Sequence, residues 1–557
     1  MRRDRARWYA PFVALAIVQA AFVVFAPRDD AAPVTGAPTV GGPAAVVVAD
    51  GGVLPVSTVP GVHRSTPTFV VEGGAAAGGA SPTSDVAAAG DVAHCAQGRQ
   101  TDVLYSAPPC VPRFEGDNGG ATYKGVTANE IRVVAFECQT DEQVGALLAA
   151  QGMVSTGEQR DEILQAVVQF VNERYETYGR TVVLERIVGD CPTTPPDPVR
   201  SRQAALEVAK TEPAFVFANG GGVEAVEVFA EHGIVTLGLL WQRNEHYADR
   251  RPFRWDVFPS GTETASWVAE HYCKKLAGRP ATHAGRLIHP SIGDRSTVRK
   301  LGVIVPDDGT GTTVPTAEQL ARDVEACSGV PAPVVTYQSD IGRALEQAHS
   351  GVARLIDEGV TTVACMCDAI APVFLTQAMT QNGYHPEHLV TGMGLTDDDA
   401  LARMYDPAQW RHAFGLSQVT EPVPLAETDA ARVWRAVGNE GTPCGSCTLL
   451  ADYILLIGSM IHLAGPHLDP GTVERGLVGS GYARGGWAET GGDPHVYLTR
   501  FGAHDYNAMS DVREVWWDPS ATSAKDGQRG AYVSLAGGRR YALGQLTAAF
   551  DAPPASS

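Results

Sequence analysis

A pattern of short apolar strands alternating with helices constrains the fold more than any other feature of the chain. The strand IRVVAF begins at Ile131, a helix follows that ends at Gly179, and TVVLERIVGD is the next strand. The apolar face of that helix is formed by Ile163, Val167, Phe170 and Val171. Asp197 and Pro198 then suit the cap and first position of a helix that reaches about Lys210. Strand–helix units with short links predict a parallel sheet covered by helices on both faces.

The alternation restarts in the second half of the chain. KLGVIVP, from Lys300, is a strand, and further helices and strands follow as far as HLVTGMG. Two arrays of similar length predict an α/β protein with two lobes. From about Gly491, the segments VREVWW, GAYVSL and RRYALG predict a small antiparallel extension. The apolar helix TLLADYILLIGSMIHLAG contains Asp452 and follows a cysteine, which favours a buried core helix over a second membrane span.

The N-terminus predicts export. Four arginines in the first seven residues precede an uncharged apolar stretch from Trp8 to Ala26. Such a stretch is long enough to span a bilayer, which favours an uncleaved signal-anchor in residues 1–30. Val18-Gln19-Ala20 would instead suit signal peptidase, and the protein would then be secreted. In both cases the rest of the chain is expected outside the cytoplasmic membrane.

The next segment predicts a tether. Residues 31–93 are mostly Ala, Gly, Pro, Val, Ser and Thr, a composition that cannot build a packed core. A cysteine-containing lead-in covers residues 94–124, and a flexible tail is expected over 546–557. The formal net charge of −20 argues against nucleic acid as a partner.

The ten cysteines fit an oxidising compartment. They fall in near neighbours along the chain: Cys95 and Cys110, Cys138 and Cys191, Cys273 and Cys327, Cys365 and Cys367, Cys444 and Cys447. These pairs are a hypothesis of proximity, because connectivity does not follow from sequence, and a bridge between Cys365 and Cys367 within one strand would be strained.

The turn FANGGGVEAVEVF, from Phe217, has the G-x-G-x-x-A form of a dinucleotide fingerprint at Gly220, Gly222 and Ala225. A cofactor is nevertheless not expected, because the turn follows the third strand and Glu224 places a carboxylate in the first helical turn. An exported protein also lacks a nicotinamide pool. Two interpretations stay open: a contact to a small ligand through glycine backbone and the helix N-terminus, or a close-packed turn with no ligand role.

Several segments, in their order and spacing, resemble the type 1 periplasmic binding proteins of the leucine/isoleucine/valine-binding (branched-chain amino-acid receptor) family. They are GVTANEIRVVAF from Gly125, PFRWDVFPSGTETASWVAEH from Pro252, RKLGVIVPDDGTGTT from Arg299 and VACMCDAIAPVFLTQAMTQNGYHPEHLVTGMG from Val363. The resemblance covers about Gly125 to Gly479. It implies two parallel-sheet lobes joined by crossing hinge strands, which close on a small ligand. Lobe 1 is expected over 125–257 and about 418–490, and lobe 2 over 258–417 and about 491–545.

The resemblance also implies ligand contacts at the strand ends. In the first lobe these are Gln139, Thr140, Asn219, Gly220, Gly221, Leu240 and Trp241, and in the second Asp308, Thr310, Cys367, Asp368, Gly394 and Thr396. The chain departs from the family where Asn219 and glycines replace a hydroxyl and where a tyrosine of the second lobe is absent. Asp308 or Asp368 would serve a ligand ammonium, and Trp241 would offer a ring face.

Other motifs are interpreted as structural. Cys444-Gly445-Ser446-Cys447 opens a helix and is expected to be a bridge rather than a redox centre. His385 and His388 lack further metal ligands, and the chain contains no G-x-S-x-G or H-E-x-x-H set. We therefore expect a non-enzymatic binding protein for a small polar ligand, without cofactor or metal, working with a membrane permease or a sensor protein. The alternative is a cell-surface interaction protein that keeps the fold without binding a small ligand.

Overall fold

The computed structural model describes residues 94–548, apart from 97, 140, 194, 239, 240, 310 and 480–482. The predicted signal segment (1–30) and tether (31–93), and most of the tail, lie outside the described residues. Thr140, Leu240 and Thr310, three of the predicted ligand contacts, also lie outside them.

The strands of the described chain form two larger sheets and two short pairs. They are β1 (Glu130–Cys138), β2 (Thr181–Gly189), β3 (Phe215–Asn219), β4 (Val235–Gly238), β5 (Arg254–Trp255), β6 (Leu287–His289), β7 (Gly293–Asp294), β8 (Leu301–Pro306), β9 (Val334–Tyr337), β10 (Thr362–Cys365), β11 (Glu387–Val390), β12 (Ala413–Ser417), β13 (Ala483–Arg484), β14 (Thr499–Arg500), β15 (Val512–Thr522), β16 (Arg529–Ser534) and β17 (Arg540–Tyr541).

The helices mostly follow strands. They are α1 (Glu142–Ala150), α2 (Gly157–Arg174), α3 (Pro198–Ala209), α4 (Gly222–Glu231), α5 (Asn244–Asp249), α6 (Gly261–His271), α7 (Thr313–Ser328), α8 (Ala344–Asp357), α9 (Ala371–Gln381), α10 (Asp399–Ala402), α11 (Pro407–Trp410), α12 (Asp429–Ala436), α13 (Cys447–Ala464), α14 (Pro470–Gly479) and α15 (Gly486–Glu489).

The first sheet has the order β2-β1-β3-β4-β5, and all its pairings are parallel. Side chains of β1 alternate between two core clusters: Val133 and Ala135 pack with α2 and α13, and Val134 and Phe136 pack with α3 and α4. Both faces are therefore covered, as the sequence predicts.

Helix α2 bears out the predicted apolar face, because Ile163, Val167, Phe170 and Val171 are all buried. The expected end at Gly179 is wrong, since the helix stops at Arg174 and Tyr175 is extended. At this turn the Tyr175 ring packs edge-on against Phe170 and against His462 of α13.

The second sheet has the order β16-β15-β12-β11-β10-β8-β9. Strands β8 to β12 pair in parallel, whereas β15 pairs antiparallel with β12, β16 and β17. The antiparallel part lies in the segments where alternating aromatic residues predict it.

The chain crosses between the sheets three times. It leaves the first sheet between Trp255 and α6, returns between β12 and α12, and leaves again between Met509 and β15. The first and third crossings are hydrogen-bonded, because the Met509 N–H donates to the Val257 carbonyl at 2.9 Å. Residues 499–509, which the sequence groups with the second lobe, place Phe501, Tyr506 and Met509 in the core of the first.

Helix α13 is the single helix of the described residues that is long and apolar enough to cross a membrane, and 72% of it is buried. It packs against α2, α12 and α14 and stacks the Tyr453 ring on Phe217 at 4.2 Å. These contacts place it in the core of the first lobe, as predicted.

Candidate functional site

The carboxyl edge of the first sheet brings together the strand ends that precede the predicted contacts. Glu137 of β1 is in register with Asn219 of β3, so Gln139 and the glycine turn are neighbours. Gln139 is exposed and Asn219 is half-buried. Within the described chain the Asn219 side chain makes no hydrogen bond.

The glycine turn packs tightly on one side. Gly220 has φ 124°, and a Cβ there would lie 2.9 Å from the Cβ of Cys138. Gly221 has φ 78°, and its Cβ would lie 2.7 Å from the Cβ of Ala225. The disulfide between Cys138 and Cys191 therefore lies directly under the turn. Glycine is needed here by the backbone conformation and by the close approach.

The other side of the turn is the start of α4. Gly221 is the N-cap and supplies no side-chain acceptor for the N–H groups of the first turn. These N–H groups and the helix dipole favour a polar or anionic group at this end of the helix. Glu224 lies in the same turn, as expected from sequence, and weakens that preference for a full negative charge.

Trp241 lies between the lobes. Its indole packs against the core clusters of both, and its Nε1–H donates to Gln418 Oε1 at 2.9 Å. Gln418 in turn donates from Nε2 to Thr264 Oγ1 of α6 at 2.9 Å. The backbone of Trp241 has φ 43°, a left-handed conformation rare for a bulky residue. Strained residues of this kind are concentrated at functional sites.

Gln418 belongs to a buried network at the second crossing that the sequence did not reveal. Asp397 Oδ2 accepts from the Ser417 hydroxyl and the Gln418 N–H, both at 2.8 Å. Arg540, which is buried, donates to the Gln418 carbonyl at 2.9 Å and pairs with Asp511 at 2.8 Å. Burial raises the pKa of Asp397 above its ordinary value. The network fixes the direction in which the chain leaves β12.

A second buried group lies at the first crossing. Asp256 accepts hydrogen bonds from the hydroxyls of Tyr453 at 2.7 Å and Tyr247 at 3.1 Å. Burial raises the pKa of Asp256 to about 6, although Arg254 nearby opposes the shift. The carboxyl therefore joins β5 to α13 next to the point where the chain changes lobes.

The carboxylates predicted in the second lobe are engaged within it. Asp368 Oδ1 accepts from the N–H groups of Ile370 and Ala371, both at 2.9 Å, at the start of α9. Its Oδ2 accepts from the Tyr337 hydroxyl at 2.6 Å. Asp308 accepts from the Thr312 hydroxyl at 3.3 Å. Asp368 therefore accepts three hydrogen bonds within the second lobe, two of them from N–H groups at the start of α9.

The remaining contacts predicted in the second lobe are packed inward. Cys367 is 2% exposed and bonded to Cys365. Gly394 has φ 63°, and a Cβ there would lie 2.3 Å from the Cys367 carbonyl oxygen. Thr396 is buried and donates to the Met393 carbonyl at 3.0 Å. The side chains of Cys367 and Thr396 are therefore not available to a ligand.

The structure joins all five cysteine pairs that were proposed from sequence proximity. The bonds are Cys95–Cys110, Cys138–Cys191, Cys273–Cys327, Cys365–Cys367 and Cys444–Cys447. Two of them, Cys138–Cys191 and Cys365–Cys367, lie at the carboxyl ends of β1 and β10. They stiffen the loops from which contacts would be made.

Other features lie away from these edges. A cavity of about 410 Å³ between α2 and β2 is lined by none of the predicted contacts. His388 is buried and lies 3.3 Å from Gln409 Oε1. No group of three His, Cys, Asp or Glu residues in the part of the chain that is described could hold a metal ion.

Comparison with known proteins finds this architecture in solved structures. A fatty acid ABC transporter substrate-binding protein from Thermomonospora curvata matches with a TM-score of 0.51 and 16% identity, covering 78% of this chain and 100% of its own. A solute-binding protein of an ABC transporter from Rhodopseudomonas palustris BisB5, in complex with 3,4-dihydroxy benzoic acid, gives a TM-score of 0.50 and 11% identity, with coverages of 74% and 98%. No family model and no curated protein matches the chain. At these identities the likeness shows the fold, which is the two-lobed one of type 1 periplasmic binding proteins.

Proposed function

We propose that this chain, which has the fold of two-lobed solute-binding proteins, closes its lobes on a small polar ligand such as an amino acid or related metabolite. The ligand would occupy the interlobe cleft, the space between the carboxyl edges of the two sheets. The observation that carries the proposal is the contact of Trp241 and Gln418 beside three adjacent chain crossings. Closure about such crossings needs no covalent chemistry, so we propose a binding protein and not an enzyme.

The first lobe supplies the polar contacts in this proposal. Asn219 has no hydrogen-bond partner in the described chain, and the first turn of α4 has no side-chain cap. A ligand carboxylate or carbonyl would satisfy both, because N–H groups at a helix N-terminus and a side-chain amide donate to the same class of acceptor.

The partner is proposed to be an ABC-type permease or a membrane sensor protein. Two of the solved structures that share this fold are solute- or substrate-binding proteins of ABC transporters. Five disulfides support an extracytoplasmic location, because such bonds persist in oxidising compartments. The basic and apolar N-terminal segment supports attachment to the cell membrane, or secretion if it is cleaved.

Thermal unfolding against a panel of metabolites tests the proposal. A ligand that binds only the folded state raises the melting temperature by mass action. We expect Asn219→Ala to reduce the shift, since a buried hydrogen bond is lost, whereas Asn129→Ala should leave it unchanged. Asn129 is the control because it is exposed at the opposite end of β1. If no compound shifts the wild-type protein, the interaction-protein alternative is favoured.

A further inference from the structure

The segment between β1 and α2 is long for a strand–helix connection and contains a helix of its own. We call residues 141–156 the strap; it consists of α1 and the turn that follows. Asp141 caps α1 by accepting from the N–H groups of Gln143 at 2.9 Å and Val144 at 3.1 Å. No residue of α1 is fully buried. The helix therefore does not contribute to the core of the first lobe.

The end of α1 brings two apolar side chains together. The Met153 N–H donates to the Leu148 carbonyl at 3.0 Å, and the Gly152 N–H donates to the Ala149 carbonyl at 3.0 Å. Gly152 is left-handed, with φ 68°. This pair of hydrogen bonds is the Schellman arrangement, which sets the residue after the glycine against the helix residue five positions earlier. Leu148 and Met153 consequently form one preassembled apolar pair.

The strap is fixed to the first lobe where it ends. Arg160 of α2 donates from Nε to the Ser155 hydroxyl at 3.0 Å and from Nη1 to Glu137 at 2.7 Å. Glu137 is 2% exposed and lies at the end of β1. Both ends of the strap are thus tied to the same strand, one through the chain and one through this ion pair.

The apolar pair reaches the second lobe. Leu148 and Met153 pack against a buried core cluster built mainly from residues of β11, α10, α11 and β15, which we call the second-lobe cluster. Val373 and Met404 pack against the same cluster. Leu395 packs against this cluster and also against the core of the first lobe. The contact is therefore made between lobes, next to the strand ends of the second sheet.

Two further apolar side chains lie where the lobes meet. Leu395 and Trp241 both pack on the first-lobe core, and each keeps part of its side chain exposed. The carboxylates at the same edge already accept hydrogen bonds, Asp368 from the Ile370 N–H before α9 and Asp397 from the Gln418 N–H at the second crossing. Leu395 and Trp241 therefore offer a ligand partly exposed apolar side chains at this side of the cleft.

We propose that the strap is a lid over the interlobe cleft, and that Leu148 and Met153 select ligands whose apolar body they cover. This inference rests on the proposed function. It specifies that the ligand has an apolar body in addition to the polar group that binds at the glycine turn. Opening of the lobes separates Leu148 and Met153 from the second-lobe cluster, and the apolar body of the ligand replaces part of that contact when the lobes close.

Binding of straight-chain carboxylates tests the inference, with butanoate, hexanoate and octanoate as probes and glycine, serine and aspartate as compounds without an apolar body. Each buried methylene should tighten binding to the full-length wild-type protein about fourfold. The double variant Leu148→Asn, Met153→Asn should lose most of this gain per methylene. The matched control is Ala146→Asn, Val154→Asn, two exposed positions of the same strap, and it should behave as the wild type.

Two results would contradict the lid and leave the proposed function intact. One is an equal gain per methylene in the double variant and in the control. The other is stabilisation by a compound without an apolar body when none of the carboxylates binds. If neither these probes nor any metabolite of the wider panel stabilises the wild type, the proposed function fails together with the lid.

Discussion

Gly221 is the position where one added methyl group tests the glycine turn most directly. Its left-handed conformation costs an alanine about 1–2 kcal/mol. The new Cβ would also lie 2.7 Å from the Cβ of Ala225 and 3.0 Å from a ring carbon of Phe136. Overpacking of this kind costs about 1–3 kcal/mol. We therefore expect Gly221→Ala to lower the free energy of unfolding by about 2–5 kcal/mol.

A second glycine separates the two causes. Gly329, the C-cap of α7, has φ 69° and no atom within 4 Å of its virtual Cβ. Gly329→Ala should thus show the conformational cost alone, about 1–2 kcal/mol. Urea unfolding of both variants in oxidising buffer measures the difference. Equal losses of stability in the two variants would refute the close packing of the turn on Phe136 and Ala225.

Three further outcomes follow from buried groups. Glu387→Gln should lower the free energy of unfolding in urea by about 3–5 kcal/mol, because it breaks the buried ion pair with Arg299 at 2.7 Å. Glu318→Gln, at an exposed ion pair, should lower it by under about 1 kcal/mol. Similar losses of stability in the two variants would contradict this expectation. Burial lowers the pKa of His388 from 6.5 to about 3. On acidification the imidazole is therefore protonated in the unfolded chain before it is protonated in the folded one, and the free energy of unfolding falls. Between pH 7 and pH 5 this loss is about 2 kcal/mol, and His388→Gln should remove it; an unchanged pH dependence of unfolding would contradict the assignment. Finally, Cys138→Ser with Cys191→Ser should lower the unfolding free energy by about 2–5 kcal/mol, and a melting temperature equal to that of the wild type would show that the bond contributes nothing.

The elements predicted best from sequence are those whose stability is local. The cap at Asp197, the helix from Pro198 and the apolar face of α2 follow from spacing and capping, and the structure has them at those residues. The cysteine pairs also follow from proximity along the chain, since each bond closes between neighbours in sequence order.

The elements that sequence did not reveal depend on distant partners. Helix α1 has nine residues and no buried side chain, and its apolar pair contacts residues more than 200 positions away. The hydrogen bonds of Asp368 at the start of α9 could not be predicted, because a carboxylate directly after a strand is equally typical of a ligand contact. Gln418 gave a signal, because it is a polar residue directly after β12, but its bond to Trp241 depends on how the lobes meet.

The central claim is that the two lobes move relative to each other and close on a small molecule. The distance between two spin labels, one at Val199 of α3 and one at Leu345 of α8, measures that motion, since both positions are exposed. The labels are attached to genetically encoded keto amino acids, so that the ten cysteines do not react. We expect a ligand that raises the melting temperature to shift this distance and narrow its distribution, while a pair within one lobe, Val199 and Val183, stays constant. An unchanged distance between the lobes in the presence of a saturating ligand would contradict the account.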